Sequence, residues 1–151
     1  MQSKSRGFTL IELMVVVALA AIFLGIGVPS FKNFVAGQRV KTAAGDFAMA
    51  VVFARAEAIK RNMDVTMTAA TSGASGWKDG WTVAAGGNSL SVQPAFEGVT
   101  FAGPASGITY KRSGRLSAAV GSMTITGQDG NARCVTIDLS GMPNITKGAC
   151  L

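Results

Sequence analysis

Apolar positions along this chain fall into three regimes. From Leu13 to Val28 no side chain is charged, and with Phe8 to Ile11 the run approaches the roughly 20 residues a helix needs to cross a bilayer. From there to about Asn62 the helical period persists but becomes amphipathic. Val40, Ala44, Phe47, Val51, Ala54 and Ala58 recur at steps of three and four, which places them on one face. Arg39, Lys41, Asp46, Arg55, Glu57, Lys60 and Arg61 lie on the other sides, and Glu57 to Arg61 has the favourable i,i+4 orientation. Pro29 cannot donate to the preceding turn, so one helix kinked over Gly25 to Pro29 is predicted, the alternative being a second helix that starts after the proline.

Beyond Asn62 the period shortens to two. Val65-Thr66-Met67-Thr68 and Trp81-Thr82-Val83-Ala84 alternate, and turn signals punctuate the remainder at Gly86-Gly87-Asn88, Ser113-Gly114 and Gln128-Asp129-Gly130-Asn131. Asp129-Gly130 between Met123-Thr124-Ile125-Thr126 and Cys134-Val135-Thr136-Ile137 predicts a hairpin, because both central turn positions tolerate positive φ. Ala69 to Gly76, rich in small polar residues, reads as a flexible loop. An apolar sheet face and an apolar helix stripe can cover each other. The expected class is α+β: a long kinked amino-terminal helix, membrane span first and amphipathic half second, packed on a carboxy-terminal antiparallel β domain.

Length and charge narrow this further. A chain of 151 residues holds one domain plus a protruding helix. Lys4 and Arg6 precede the span, so the positive-inside tendency leaves residues 1–7 in the cytoplasm and the globular part in the periplasm. Removing those two from 14 basic residues, against 8 acidic ones, lowers the formal charge from +6 to +4. Cys134 and Cys150 are the only cysteines, and an even count in an oxidising compartment favours a bridge, the alternative being two unpaired buried thiols. The absence of histidine excludes histidine-based catalysis and histidine metal sites. No residue cluster supplies a nucleophile with a base, so neither an enzyme nor a cofactor or metal is expected.

The amino terminus carries the sharpest signal, Lys4-Ser5-Arg6-Gly7-Phe8-Thr9-Leu10-Ile11-Glu12-Leu13. A secretory signal places its cleavage site after the apolar segment and discards that segment. Here the plausible site, Gly7-Phe8, lies before it, so the apolar helix is kept together with Glu12. Gly7 to Glu12 resembles the processing site of type IV pilins and of the pseudopilins of type II secretion, and Glu12 and Pro29 both fall at positions characteristic of that family. The resemblance implies that a prepilin peptidase cuts after Gly7 and that the amine of Phe8 is methylated. A carboxylate inside an apolar membrane helix is costly and usually serves a function with a partner. By the same resemblance, Glu12 attracts the amino terminus of a neighbouring subunit during assembly at an inner-membrane platform.

The division expected is a leader over 1–7, a transmembrane and assembly helix over 8–30, the amphipathic half over 31–62 and a periplasmic β domain over 63–151. Ala54 to Asn62, followed by Trp77-Lys78-Asp79-Gly80-Trp81, is similar to the GspH/FimT group of minor pilins and pseudopilins. On that likeness the chain is a minor pilin, joining pilus initiation or a tip and so motility, adhesion or DNA uptake. An H-type pseudopilin of type II secretion is the alternative, and a DNA-binding competence pilin the second. DNA-binding members of the group share a Gly-Arg-x-Arg loop, whereas Ser140-Gly141-Met142-Pro143-Asn144 keeps the glycine and lacks both arginines. Phosphate neutralisation supplies most non-specific DNA affinity, which weakens that reading. Lys111, Arg112, Arg115, Arg133 and Lys147 remain as candidate DNA-binding cations, and Tyr110 as a candidate for stacking on a base.

Overall fold

The computed structural model describes residues 8–151, and of residues 26–29 the backbone alone. One helix, α1, runs from Leu10 to Arg61. The expected leader, Gly7 included, lies outside the described residues. So do the side chains around Pro29, where the kink was expected. The chain divides into two compact units, Met1–Val35 and Ala36–Leu151.

In the first unit every large apolar side chain from Phe8 to Leu24 is exposed, between 51% and 85%. At about 1.5 to 3 kcal/mol for each such side chain covered, the uncovered stretch represents tens of kcal/mol of unrealised burial. It is apolar enough to cross a membrane, with a mean hydropathy of 2.6 over its best window.

The second unit packs the distal half of α1 on two sheets. The helix ends where Asn62 adopts a left-handed conformation, φ 52°. Asn62 N–H donates to the Ile59 carbonyl and Met63 N–H to that of Ala58, the double bond of a Schellman cap. Eight strands follow: β1 Val65–Ala69, β2 Trp81–Ala85, β3 Asn88–Gln93, β4 Val99–Ala102, β5 Ile108–Tyr110, β6 Met123–Gly127, β7 Ala132–Ile137 and β8 Pro143–Lys147. They form two four-stranded sheets, ordered β3-β2-β1-β5 and β4-β6-β7-β8, with every pairing antiparallel. The expected single apolar face is thus split between two sheets, because β4 leaves the first sheet to pair with β6 while β5 returns to β1.

The helical stripe read from the sequence is the centre of the core. Val40, Ala44, Phe47, Val51, Ala54 and Ala58 are at most 1% exposed. Val65, Met67, Val83 and Ile108 of one sheet meet them, as do Phe101, Met123, Ile125 and Val135 of the other. Trp77 and Trp81 both present their rings edge-on to Phe47 at 5.5 Å. Trp77 Nε1–H donates to the Pro104 carbonyl at 2.8 Å, so its polar atom is satisfied inside the core. The Ala69–Gly76 segment is tied down: Ala70 N–H donates to the Gly80 carbonyl, and Thr71 Oγ1 donates to Asp79.

Two of the hairpin turns differ in a way composition did not separate. Gly86 and Gly87 both have positive φ, 55° and 84°, between the paired residues Ala85 and Asn88, as a two-residue type I′ turn requires. At Asp129-Gly130 only the glycine is left-handed, φ 79°, and Gly130 N–H donates to the Gly127 carbonyl. That is a three-residue loop ending in a glycine bulge.

Cys134 on β7 is bonded to Cys150, sixteen residues on, which ties the chain end across the sheet; Cys150 N–H also donates to Thr124 Oγ1 on β6. Reducing the Cys134–Cys150 bridge is expected to lower stability by about 3 kcal/mol on the chain-entropy account. Urea denaturation of the oxidised and reduced full-length chain in detergent measures it, and equal midpoints would refute it.

Candidate functional site

At the start of α1, Thr9 and Glu12 cap each other. Glu12 Oε2 accepts from the Thr9 amide and from the Thr9 hydroxyl, both at 2.8 Å, while Glu12 N–H donates to Thr9 Oγ1 at 3.3 Å. This is a capping box, and it satisfies two of the amide groups that the first turn of any helix leaves without partners. The carboxylate therefore sits at the positive end of the helix dipole. Phe8 is 85% exposed one residue before the cap. The arrangement holds one carboxylate at a known place, on a stretch of the helix that is otherwise uncharged as far as Val28. Sequence inspection singled out Glu12 but not Thr9, although the T-x-x-E spacing was there to be read.

The candidate cations separate into two groups. Lys111, Arg112 and Arg115 are exposed on the turn after β5, closed by Lys111 N–H to the Arg115 carbonyl at 2.9 Å and Gly114 N–H to the Lys111 carbonyl at 2.7 Å. Arg133 and Lys147 face each other in register across β7 and β8. Arg133 is four residues from Ile137, the end of β7 nearer the Asp138–Met142 turn, a separation of about 13 Å along the strand. The five cations do not form one row.

Tyr110 is fully buried and unavailable for stacking on a base. Its hydroxyl donates to the Gly141 carbonyl at 3.0 Å, and burial pushes its pKa up from 10.0 to about 12. The raised folded-state value means that the neutral phenol stabilises the fold fully below pH 10 and that this contribution is lost as pH rises from 10 toward 12. Since this is the sole tyrosine, an ultraviolet titration of phenolate reads it directly. A midpoint at the ordinary tyrosine value would contradict the buried placement.

Gly141 belongs to the turn that keeps the glycine but neither arginine of the Gly-Arg-x-Arg loop, and the structure gives a reason for that glycine. Its φ is 84°, and a Cβ there would stand 2.5 Å from Tyr110 Cε1 and 2.9 Å from the Gly114 carbonyl oxygen. Arg55 joins the same place: its Nε donates to the Gly114 carbonyl at 2.9 Å, and its Nη1 lies 3.1 Å from Met142 Sδ. Arg55 is therefore more than a solvated helix charge, since it ties the turn after β5 to the turn before β8. The expected Glu57–Arg61 pair forms at 2.5 Å.

One feature escaped the sequence reading. The helix face opposite Phe47 is apolar as well: Met49, Val52, Phe53 and Ala56, with Ala48 and Pro143, line an open groove of about 360 Å³. Met49 is 71% exposed. The spacing 49, 52, 53, 56 is itself a helical stripe, hidden because the buried stripe beside it explained the amphipathic pattern.

The family described as Type II transport protein GspH matches residues 43–141, about two thirds of the chain. The prokaryotic N-terminal methylation motif matches residues 2–28. Type IV major fimbrial protein FimA of Dichelobacter nodosus is 48% identical over 40 residues, 26% of either chain. Prepilin peptidase-dependent protein D of Escherichia coli strain K12 is 58% identical over 31 residues, 20% of this chain and 21% of that one. The chain thus spans about a quarter of the length of the curated relatives it matches. Among solved structures, the type IV minor pilin FimU of Pseudomonas aeruginosa strain PAO1 superposes with a TM-score of 0.61 at 18% identity, over 74% of this chain and 99% of that one. A second crystal form of FimU gives a TM-score of 0.62, over 76% and 96%. At that identity the likeness is one of fold.

Proposed function

The chain belongs to the Type II transport protein GspH family, and from that membership we propose that it is a minor pilin, a structural subunit that helps a type IV pilus to assemble. The observation that carries this is the exposed stretch from Phe8 to Leu24, apolar except for Thr9 and Glu12 and lying within the methylation motif. In the membrane, lipid covers that surface; in a filament outside the membrane, other subunits do, and keeping the apolar area from water supplies the cohesion. Prepilin peptidase cuts between Gly7 and Phe8, and the new Phe8 amine is methylated. The domain from Ala36 onward stays in the periplasm until the subunit leaves the inner membrane. A 40-residue likeness to a fimbrial protein, together with the Cys134–Cys150 bridge, supports a pilus over a secretion pseudopilus. The family's own description, a type II transport protein, favours the second reading, an H-type pseudopilin.

Intact mass measurement of the membrane-extracted protein, with sheared filaments probed alongside, tests the proposal. The expected product begins at a methylated Phe8, retains the disulfide and is present in the filament fraction at low abundance. A product beginning downstream of Val28 would refute it.

A further inference from the structure

The groove along the outer face of α1 continues into the turns at the end of the domain. Ile59 lies one turn beyond Ala56, and a Cβ on Gly114 would stand 2.5 Å from its Cδ1, so this apolar side chain lies against the turn that carries Lys111, Arg112 and Arg115. Met142, 47% exposed, precedes Pro143 and touches Arg55. The result is one surface with an apolar floor and a cationic end.

From this geometry we propose that the groove receives a helix of a different filament subunit, one that is apolar along the buried side and acidic where it passes the Lys111–Arg115 turn. The inference rests on the reading of this protein as a filament subunit. A helix fits better than a strand, because Met49, Val52, Phe53 and Ala56 present the ridge spacing into which a second helix packs. The neighbouring edge, β8, begins with Pro143 and ends with Lys147, two residue types that blunt edges against strand addition. An acidic partner follows from charge: none of the three turn cations forms an ion pair among the described residues, and opposite charge at a rim directs partner choice. A second copy does not meet that need. The chain carries a formal charge of +6, so a second copy would bring net positive charge to a cationic rim; Glu57 is held by Arg61 and Lys60, Asp79 by Lys78 and Thr71, Asp129 by Asn131, Asp138 by Ser140 and the Met142 amide, and Asp64 accepts the Arg112 amide, which leaves Asp46 and Glu97 of the domain's seven carboxylates.

A photoreactive benzoylphenylalanine at position 52 of the full-length chain, expressed in the cells that make the filaments, tests this. The expected product is an adduct with a different protein of acidic isoelectric point that carries its own methylation motif. Arg112→Glu with Arg115→Glu is expected to lower adduct yield about tenfold, with the amount of protein and its oxidised disulfide unchanged. No adduct, an adduct with a second copy, or one indifferent to the charge reversal overturns the inference. Incorporation into sheared filaments is scored in the same cells. Normal incorporation without the adduct overturns the docking surface alone, whereas loss of the unsubstituted chain from filaments overturns the filament reading on which it rests.

Discussion

Glu12→Ala is expected to be cleaved at Gly7 and inserted in the membrane at normal levels, yet to fall at least about tenfold in sheared filaments, since a buried charge left without its partner costs several kcal/mol. Glu12 caps its own helix and, on the proposed reading, also pairs across subunits, and a second substitution separates the two. In the folded chain its carboxylate closes the capping box with Thr9. On the proposed filament reading, its charge would pair with the Phe8 amine of a neighbour. Glu12→Gln preserves the cap, because an amide oxygen accepts the same bonds, and removes only the charge. It is therefore expected to resemble the alanine variant in filaments. A capping role alone predicts the opposite: Gln at wild-type levels, and Thr9→Val as impaired as Glu12→Ala. Quantitative immunoblots of sheared filaments and of membranes decide between them. Wild-type amounts of both Glu12 variants in filaments would end the pairing role.

Phe47→Ala is expected to destabilise the domain by about 3 to 5 kcal/mol, a large part of the roughly 5 to 15 kcal/mol that holds a typical domain together. Phe47 is fully buried, and both tryptophan rings stand edge-on to it, so truncation opens a void bordered by rigid neighbours that cannot close over it. Phe47→Leu is expected to cost markedly less, since most of the volume stays filled. Thermal melts of the detergent-solubilised full chain, followed by tryptophan fluorescence, report the difference. A Phe47→Ala melting temperature equal to that of the natural protein would show that the aromatic knot is not the anchor between helix and sheets.

Phe47 also shows why so much of the fold was legible in advance. A period of 3.6 needs no knowledge of the partner surface, and the residues it selected, from Val40 to Ala58, are those the two sheets cover. The helix end at Asn62 and the starts of β1 and β2 were equally local, set by propensity and by turn glycines. The methylation motif over residues 2–28 was readable for another reason: it is a linear signal, so its information lies in consecutive residues.

What could not be read required distance in sequence and nearness in space. Nothing along the chain says that β4 departs to the second sheet, or that the Gly114 turn and the Gly141 turn meet over Arg55, residues 59 and 86 positions apart from it. The burial of Tyr110, which removes it as a stacking platform, depends on that meeting. So does the separation of the five candidate cations into two groups. Amino-acid order settled the methylation motif at the amino terminus, the single long helix and its buried stripe, because periodicity and short linear motifs act locally. Folding in three dimensions settled the two-sheet arrangement, the bridge between the turns and the outer groove, because each arises from contacts whose partners only the packed chain selects.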